Sequence, residues 1–350
     1  MRIKAFDFFC GAGGLTRGLL DIGFDVKAGF DVDINCRKSY IENNPGVDFV
    51  CKDISKISGI MLRKIARAKS FDKFLFAGCA PCQPFSKQRK GEKKERDARL
   101  LTQFSRLVEE CIPGFVLIEN VPGIAKVPGF SAFKRFLLAL EQLGYNYAFG
   151  VLDAKYFGVP QQRRRLVLIA ARGIIPSLPK GNYGTTLRPL KTVRQTISRF
   201  PPIKEGQSHN DMPNHTAASL TPINLKRLKS TPHDGGDRRS WSVPLWLRCH
   251  KGQYYGHTDV YGRMKWDEPS PTLTGRCNSL SNGRYGHPEQ DRAISLREAA
   301  ALQTFPDNYE FFGSNTHIAH QIGNAIPVKL ARELGKHIID ISTAKAVLAR

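Results

Sequence analysis

A doubly wound α/β fold with a mainly parallel sheet is predicted by three observations. Short apolar runs alternate with helical patterns through residue 172. Those runs are nearly continuous rather than alternating, as in strands covered on both faces. A composition break then sets off residues 173–286, which are rich in Gly, Pro, Asn, Ser and His and carry little periodicity.

The elements follow in chain order. Residues 3–9 (IKAFDFF) read as a strand that runs into the glycines opening a helix over 14–20. Strands over 26–30 and 47–51 bracket a helix over 36–43, and a helix over 57–68 precedes a strand over 74–77. A helix over 100–111 leads to a strand over 115–118. In the helix over 133–143, Phe133, Phe136, Leu137 and Leu140 keep the 3–4 spacing of one buried face. Strands over 145–152 and 165–170 complete this half. Regular structure returns near Ile294, where Ser295 stands as N-cap with Glu298 in capping-box register. Pro306 stops the stretch after this helix, and a last amphipathic helix over 327–341 has Pro327 in its first turn. The expected organisation is 1–172, an inserted 173–286, and 287–350 returning to the first part.

Lys and Arg outnumber Asp and Glu by 53 to 31, a formal net charge of +22 over 350 residues. The excess is spread along the chain, which suits a polyanion bound through phosphate contacts. A basic surface kept for solubility, or one facing an acidic membrane, is the alternative. No run approaches the ~20 apolar residues that span a bilayer. The N-terminus enters a strand pattern at once, so a cytoplasmic protein without a signal peptide is expected. Eight scattered cysteines are expected to be reduced. The histidines between 209 and 257 lack ligand spacing, so no metal is expected.

Asp7-Phe8-Phe9-Cys10-Gly11-Ala12-Gly13-Gly14 is a strand, a glycine turn and a helix start. That geometry binds nucleotide-type ligands at the carboxyl edge of a parallel sheet. The dinucleotide fingerprint would need glycine at position 16, where Thr16 stands. Asp31 follows the second strand, about 20 residues after the glycines, where a carboxylate takes ribose hydroxyls. Asp33 is placed to do this instead, or to cap the next helix. Asp53 follows the third strand and is placed to meet an adenine amino group. Together they point to an adenosine-bearing cofactor without a pyrophosphate.

Cys82 follows Pro81 just past the strand over 74–77. Proline fixes its own φ and restricts its predecessor, so the turn aims the thiol. A reactive thiol belongs at a strand's carboxyl end. A nucleophile, a packed structural cysteine and a redox or metal pair with Cys79 all stay open here. Pro84 and the basic residues over 87–90 delay the helix that a redox pair would want, and no second close pair is present for zinc.

At this point the chain resembles the DNA (cytosine-5) methyltransferases. Phe9 to Gly14 is similar to that family's S-adenosylmethionine turn, and Pro81-Cys82-Gln83 to its nucleophile segment. Glu119-Asn120-Val121 is similar to its E-N-V, and Gln161 to Arg165 to its Q-x-R-x-R. Arg297-Glu298-Ala299-Ala300 with Gln303 to Asp307, and Gln321 to Pro327, resemble its closing segments. The six occur in the family's order.

The resemblance implies a Rossmann-like methyltransferase fold. Residues 1–172 would be the catalytic and cofactor-binding domain, 173–286 a target-recognition domain, and 287–350 the segment completing the catalytic domain. It implies S-adenosylmethionine held by Phe9, Gly11, Gly13, Gly14, Asp31, Asp53 and Asn324, and a catalytic set of Cys82, Glu119, Arg163 and Arg165. A Cys82 thiolate would add to carbon 6 of cytosine, and Glu119 would protonate or hydrogen-bond ring nitrogen 3. Such a carboxyl would need a raised pKa. Arg163 and Arg165 would favour the thiolate and orient base and phosphate. The implied partners are duplex DNA, whose target base is flipped out, and a cognate restriction endonuclease. A monomer is expected.

The charged segment 86–99 is expected to close over the flipped base. Trp241, Trp246, Tyr254, Tyr255, Tyr261 and Trp266 are interleaved with basic residues, as on a nucleic-acid surface. For the tryptophans the core of a small irregular domain is the preferred reading. The rivals are an RNA cytosine-5 methyltransferase, a non-catalytic nucleic-acid binder, and a thiol oxidoreductase built on Cys79 and Cys82.

Overall fold

The computed structural model describes residues 2–79, 93–126, 132–247, 249 and 259–348. Cys82, residues 86–92 of the expected closing segment, Tyr254 and Tyr255 lie outside these residues. Two compact units emerge: 1–154 with 164–181 and 328–350, and 155–163 with 182–327. The sequence reading places its cuts after 172 and 286, whereas the segment 287–327 groups here with the second unit.

The first unit is built on seven strands: β1 (Lys4–Phe8), β2 (Asp25–Asp31), β3 (Asp48–Cys51), β4 (Phe74–Gly78), β5 (Phe115–Asn120), β6 (Tyr145–Asp153) and β7 (Arg164–Arg172). Their order is β3-β2-β1-β4-β5-β7-β6. Pairings from β3 to β5 are parallel, and β7 runs antiparallel to both β5 and β6. The sheet is therefore mainly parallel, as the near-continuous apolar strands predict. Winding reverses between β1 and β4, the position where open α/β sheets leave a ligand crevice.

Helices α1 (Gly14–Leu20), α2 (Arg37–Asn43), α3 (Gly59–Ala66), α4 (Lys93–Cys111) and α5 (Ala132–Gln142) cover the sheet. Phenylalanines dominate the core. Phe6, Phe8, Phe30, Phe71, Phe74, Phe76 and Phe104 are buried together, with Phe8 stacked on Phe30 at 5.0 Å. Burial of each such ring contributes about 2 kcal/mol.

The second unit carries α6 (Val193–Ile197), α7 (Pro222–Lys229), α8 (Leu296–Leu302) and α9 (Asn315–Asn324). Ser295 and Glu298 form the expected capping box on α8. Trp241 packs with Leu228, Leu245, Val260, Tyr261 and Leu280, so it is core, and Trp266 is buried as well. Long irregular stretches leave carbonyls without ladder partners, and buried arginines supply the donors. Arg263 donates to the carbonyls of Thr231, Leu228, His287 and Gln290, and Arg297 to those of Pro213, Pro306 and Tyr309. Arg292 grips Glu298 with two bonds of 2.7 Å. Part of the basic excess is thus internal.

Helix α10 (Val328–Leu348) belongs to the first unit and packs on α1. The backbones meet at Gly18, where a Cβ would stand 2.5 Å from the Ala331 Cβ and 2.7 Å from the Val328 carbonyl oxygen.

Candidate active site

Parallel strands end at one edge of the sheet, and the predicted motifs follow them there. β1 delivers a turn whose backbone is left-handed at Phe9 (φ 62°), Gly11 (φ 51°) and Gly13 (φ 89°). A Cβ at Gly11 would touch nothing, so conformation rather than space asks for glycine there. Phe9 in this region is strained, as residues at ligand clamps often are. Gly14 is the first residue of α1.

Asp31, the last residue of β2, clasps the turn. Its Oδ2 accepts from the Gly11 amide at 2.8 Å and its Oδ1 from the Asp33 amide at 2.9 Å. Burial raises its carboxyl pKa. Asp33 caps the next short helix, accepting from the Asn35 amide at 3.0 Å. Asp53, just past β3, likewise caps the 54–56 turn through Ser55. Beside Asp31, Val32 and Ile34 are exposed apolar residues at 63% and 57%. Sequence reasoning passed over them, although D-V-D-I after a strand's terminal acid was the available signal.

A second omission is Asp7. It lies wholly buried in β1, and its Oδ2 accepts from the Thr16 amide at 3.1 Å and the Thr16 hydroxyl at 2.7 Å. Thr16 Oγ1 lies 2.8 Å from the Tyr40 hydroxyl. Gly13 has no side chain to cap α1, so the strand's carboxylate meets an amide of the helix's first turn. Burial pushes this carboxyl up to about 7.

Cys79 follows β4 directly, and its amide bonds the Phe8 carbonyl at 3.3 Å. Cys82, three positions on, lies outside the described residues. Glu119 is the penultimate residue of β5. Because β7 is antiparallel, its beginning reaches the edge where β5 ends. Arg165 Nε there lies 2.9 Å from Glu119 Oε1, and both side chains are largely buried. The pair is ionic but not a well-aligned hydrogen bond, and the buried Oε1 has no hydrogen-bond partner among the described residues.

Arg163 and Asn324 belong to the second unit. Arg163 is buried and donates to the carbonyls of Leu273 at 2.9 Å, Ala325 at 3.0 Å and Gly323 at 3.2 Å. This differs from the expectation that its fork serves a base or phosphate, because both terminal nitrogens bond backbone carbonyls. Asn324 ends α9, is exposed, and lies with Nδ2 3.1 Å from His320 Nδ1. The first unit thus gathers Phe9, Gly11, Gly13, Gly14, Asp31, Asp53, Glu119 and Arg165 along one edge.

The family model described as C-5 cytosine-specific DNA methylase matches residues 3–340. The chain is 42% identical over 341 residues to the type II methylase M.HgiDII of Herpetosiphon aurantiacus, covering 95% of this chain and 94% of that protein. It is 32% identical over 363 residues to the type II methyltransferase M.XorII of Xanthomonas oryzae pv. oryzae, covering 95% and 84%. A solved prophage-encoded protein of E. coli superposes with a TM-score of 0.75 at 22% identity, covering 97% of this chain and 99% of that one, a likeness of fold. Sheet order, the strand-end motifs and a match across nearly the whole length converge, and the chain belongs to the C-5 cytosine-specific DNA methylase family.

Proposed function

We propose that this DNA cytosine-5 methyltransferase moves a methyl group from S-adenosylmethionine to a flipped-out cytosine in one duplex sequence, through a covalent bond between Cys82 and carbon 6. The observation that carries the reading is the shared edge, with a glycine turn and Asp31 on one side of the switch point and Glu119 with Arg165 on the other.

The turn suits the cofactor. Left-handed backbone at Phe9, Gly11 and Gly13 lets a ligand approach the chain closely, and the Asp31 oxygens keep lone pairs for ribose hydroxyls. Val32 and Ile34 offer apolar surface to a purine, and Asp53 stands at the same edge. S-adenosylmethionine, when bound, supplies an electrophilic methyl group.

Carbon 5 of cytosine is a weak nucleophile. Addition of the Cys82 thiolate to carbon 6 makes the ring an enamine, and carbon 5 then takes the methyl group. Glu119 hydrogen-bonds ring nitrogen 3 and the exocyclic amine, which offsets the charge the thiolate brings, and Arg165 holds Glu119 in place. Loss of the proton on carbon 5 expels Cys82 and restores the ring. Arg163 acts as a positioning residue, through the carbonyls it ties together. Extrusion of the base costs a few kcal/mol, which contacts to the open duplex offset.

The type II relatives support a place in a restriction–modification pair with a cognate endonuclease. Bisulfite sequencing of a plasmid from cells expressing the chain tests the reading. Protected cytosines in one recurring sequence are expected. A fully converted plasmid, in cells where the protein is abundant and soluble, overturns it.

A further inference from the structure

We propose that Arg239, buttressed by Asp237, reads a guanine of the target sequence from the second unit. The inference rests on the methyltransferase reading above and adds a specificity-determining residue to it.

Arg239 combines exposure with a fixed geometry. Its side chain is 85% exposed, yet the guanidinium is fixed. Asp237 accepts from Arg239 Nε at 2.9 Å and from Nη2 at 2.7 Å, and from the Arg239 amide at 2.9 Å. Asp237 is itself only 12% exposed, and Arg284 Nη2 lies 3.6 Å from it. The stretch is anchored on both sides, because Arg238 and Trp241 are buried and the Ser240 hydroxyl bonds the Asp237 carbonyl at 2.8 Å. The Arg239 guanidinium holds Asp237 well below the usual carboxylate range, at about 2, so the buttress stays ionised at any working pH.

Other exposed arginine–carboxylate pairs in this unit differ. Arg194 with Asp267 and Arg199 with Asp307 are also two-pronged, but their acids are 70% and 56% exposed. Those are pairs on the surface. In the Arg239 pair the acid is built into the fold and the arginine projects from it. Solvent weakens an ion pair that open, so stability gives little reason for it.

The geometry leaves a usable edge. Asp237 engages Nε and Nη2 from the side, and among the described residues no acceptor meets Nη1. One Nη1–H and the second Nη2–H therefore point outward in parallel. That end-on pair matches the O6 and N7 acceptors of guanine in the major groove. An arginine ordered before it meets DNA loses less freedom on binding. A backbone phosphate is the other acceptor for such a fork, but it carries no sequence information.

The test compares the full chain with Arg239→Ala, Arg239→Lys and Asp237→Asn on duplex oligonucleotides. The duplexes carry the parent's methylated sequence and every single-base variant of it, and thermal melting checks each protein's folding. With Arg239→Ala, discrimination at one guanine position is expected to fall about 5- to 150-fold, with the other positions unchanged. Arg239→Lys relaxes the same position, and Asp237→Asn relaxes it partially. Uniform loss on all duplexes, with the salt slope reduced by about 1, marks a phosphate contact and overturns the assignment. Unchanged discrimination with Arg239→Ala also overturns it. A parent chain that methylates no cytosine overturns the underlying reading instead.

Discussion

Glu119 and Arg165 meet where β5 ends and β7 begins, Oε1 to Nε at 2.9 Å, on two strands of opposite direction. An antiparallel neighbour is what lets a residue at the start of one strand serve a carboxylate at the end of another. Glu119→Gln should keep the fold and lower kcat about 10²- to 10⁴-fold. Arg165→Ala should lower activity and also cost about 3 kcal/mol of stability, because it strands a buried carboxylate. Urea unfolding beside methyl-transfer rates separates the two effects.

Cys82→Ser should lower methyl transfer by about 10³-fold or more, and a duplex with 5-fluorocytosine should trap the parent protein as an adduct stable to denaturing gels. Cys79→Ser should keep the chemistry, since the proposed mechanism uses only the Cys82 thiol. Equal losses from both substitutions would favour a dithiol mechanism.

Two buried groups set opposite responses to pH. Burial raises the Asp7 carboxyl to about 7, so the folded first unit holds a proton that an unfolded chain with pKa near 4 releases. This contribution is full below about pH 4 and is lost as pH rises through about 7. Burial depresses His287 to about 4 in the second unit, against the pull of Glu298. That contribution is full above about pH 6.5 and is lost as pH falls through 4. Asp7→Asn should remove the first slope and His287→Gln the second, each on the order of 3 kcal/mol in urea titrations between pH 4 and 8.

Gly18→Ala should separate α1 from α10 and destabilise the first unit by about 1–3 kcal/mol. Hydrogen exchange should show lost protection confined to α1 and α10 if the packing is the cause.

The strands were legible because burial on both faces writes continuous apolar runs, as in Phe74–Gly78 and Phe115–Asn120. The edge motifs were legible because they mark strand ends: the glycine turn follows β1, Asp31 and Glu119 close β2 and β5, and Arg165 opens β7. Helix α9 was not read as a helix, since its first turns carry Asn315, Thr316, His317 and His320 rather than an apolar stripe. Asp7 sits inside a strand pattern, where no local signal marks a buried carboxylate. Its partner Thr16 lies nine residues on, in α1, and in the sequence shows only as the residue that breaks a dinucleotide fingerprint. The basic excess hid an internal share, for Arg163, Arg263, Arg292 and Arg297 are among the largest fully buried side chains. Arg163 meets acceptors 110 to 162 residues away, and no local pattern announces such partners.

Helix α10 covers α1 from the far end of the chain. During synthesis the glycine turn and its strands leave the ribosome before their cover, which arrives only after residue 328 has been made. The intervening unit, contiguous over 182–327, can settle while the first still waits. A circular permutant that begins with α10 should therefore protect α1 from hydrogen exchange earlier in synthesis than the natural order does.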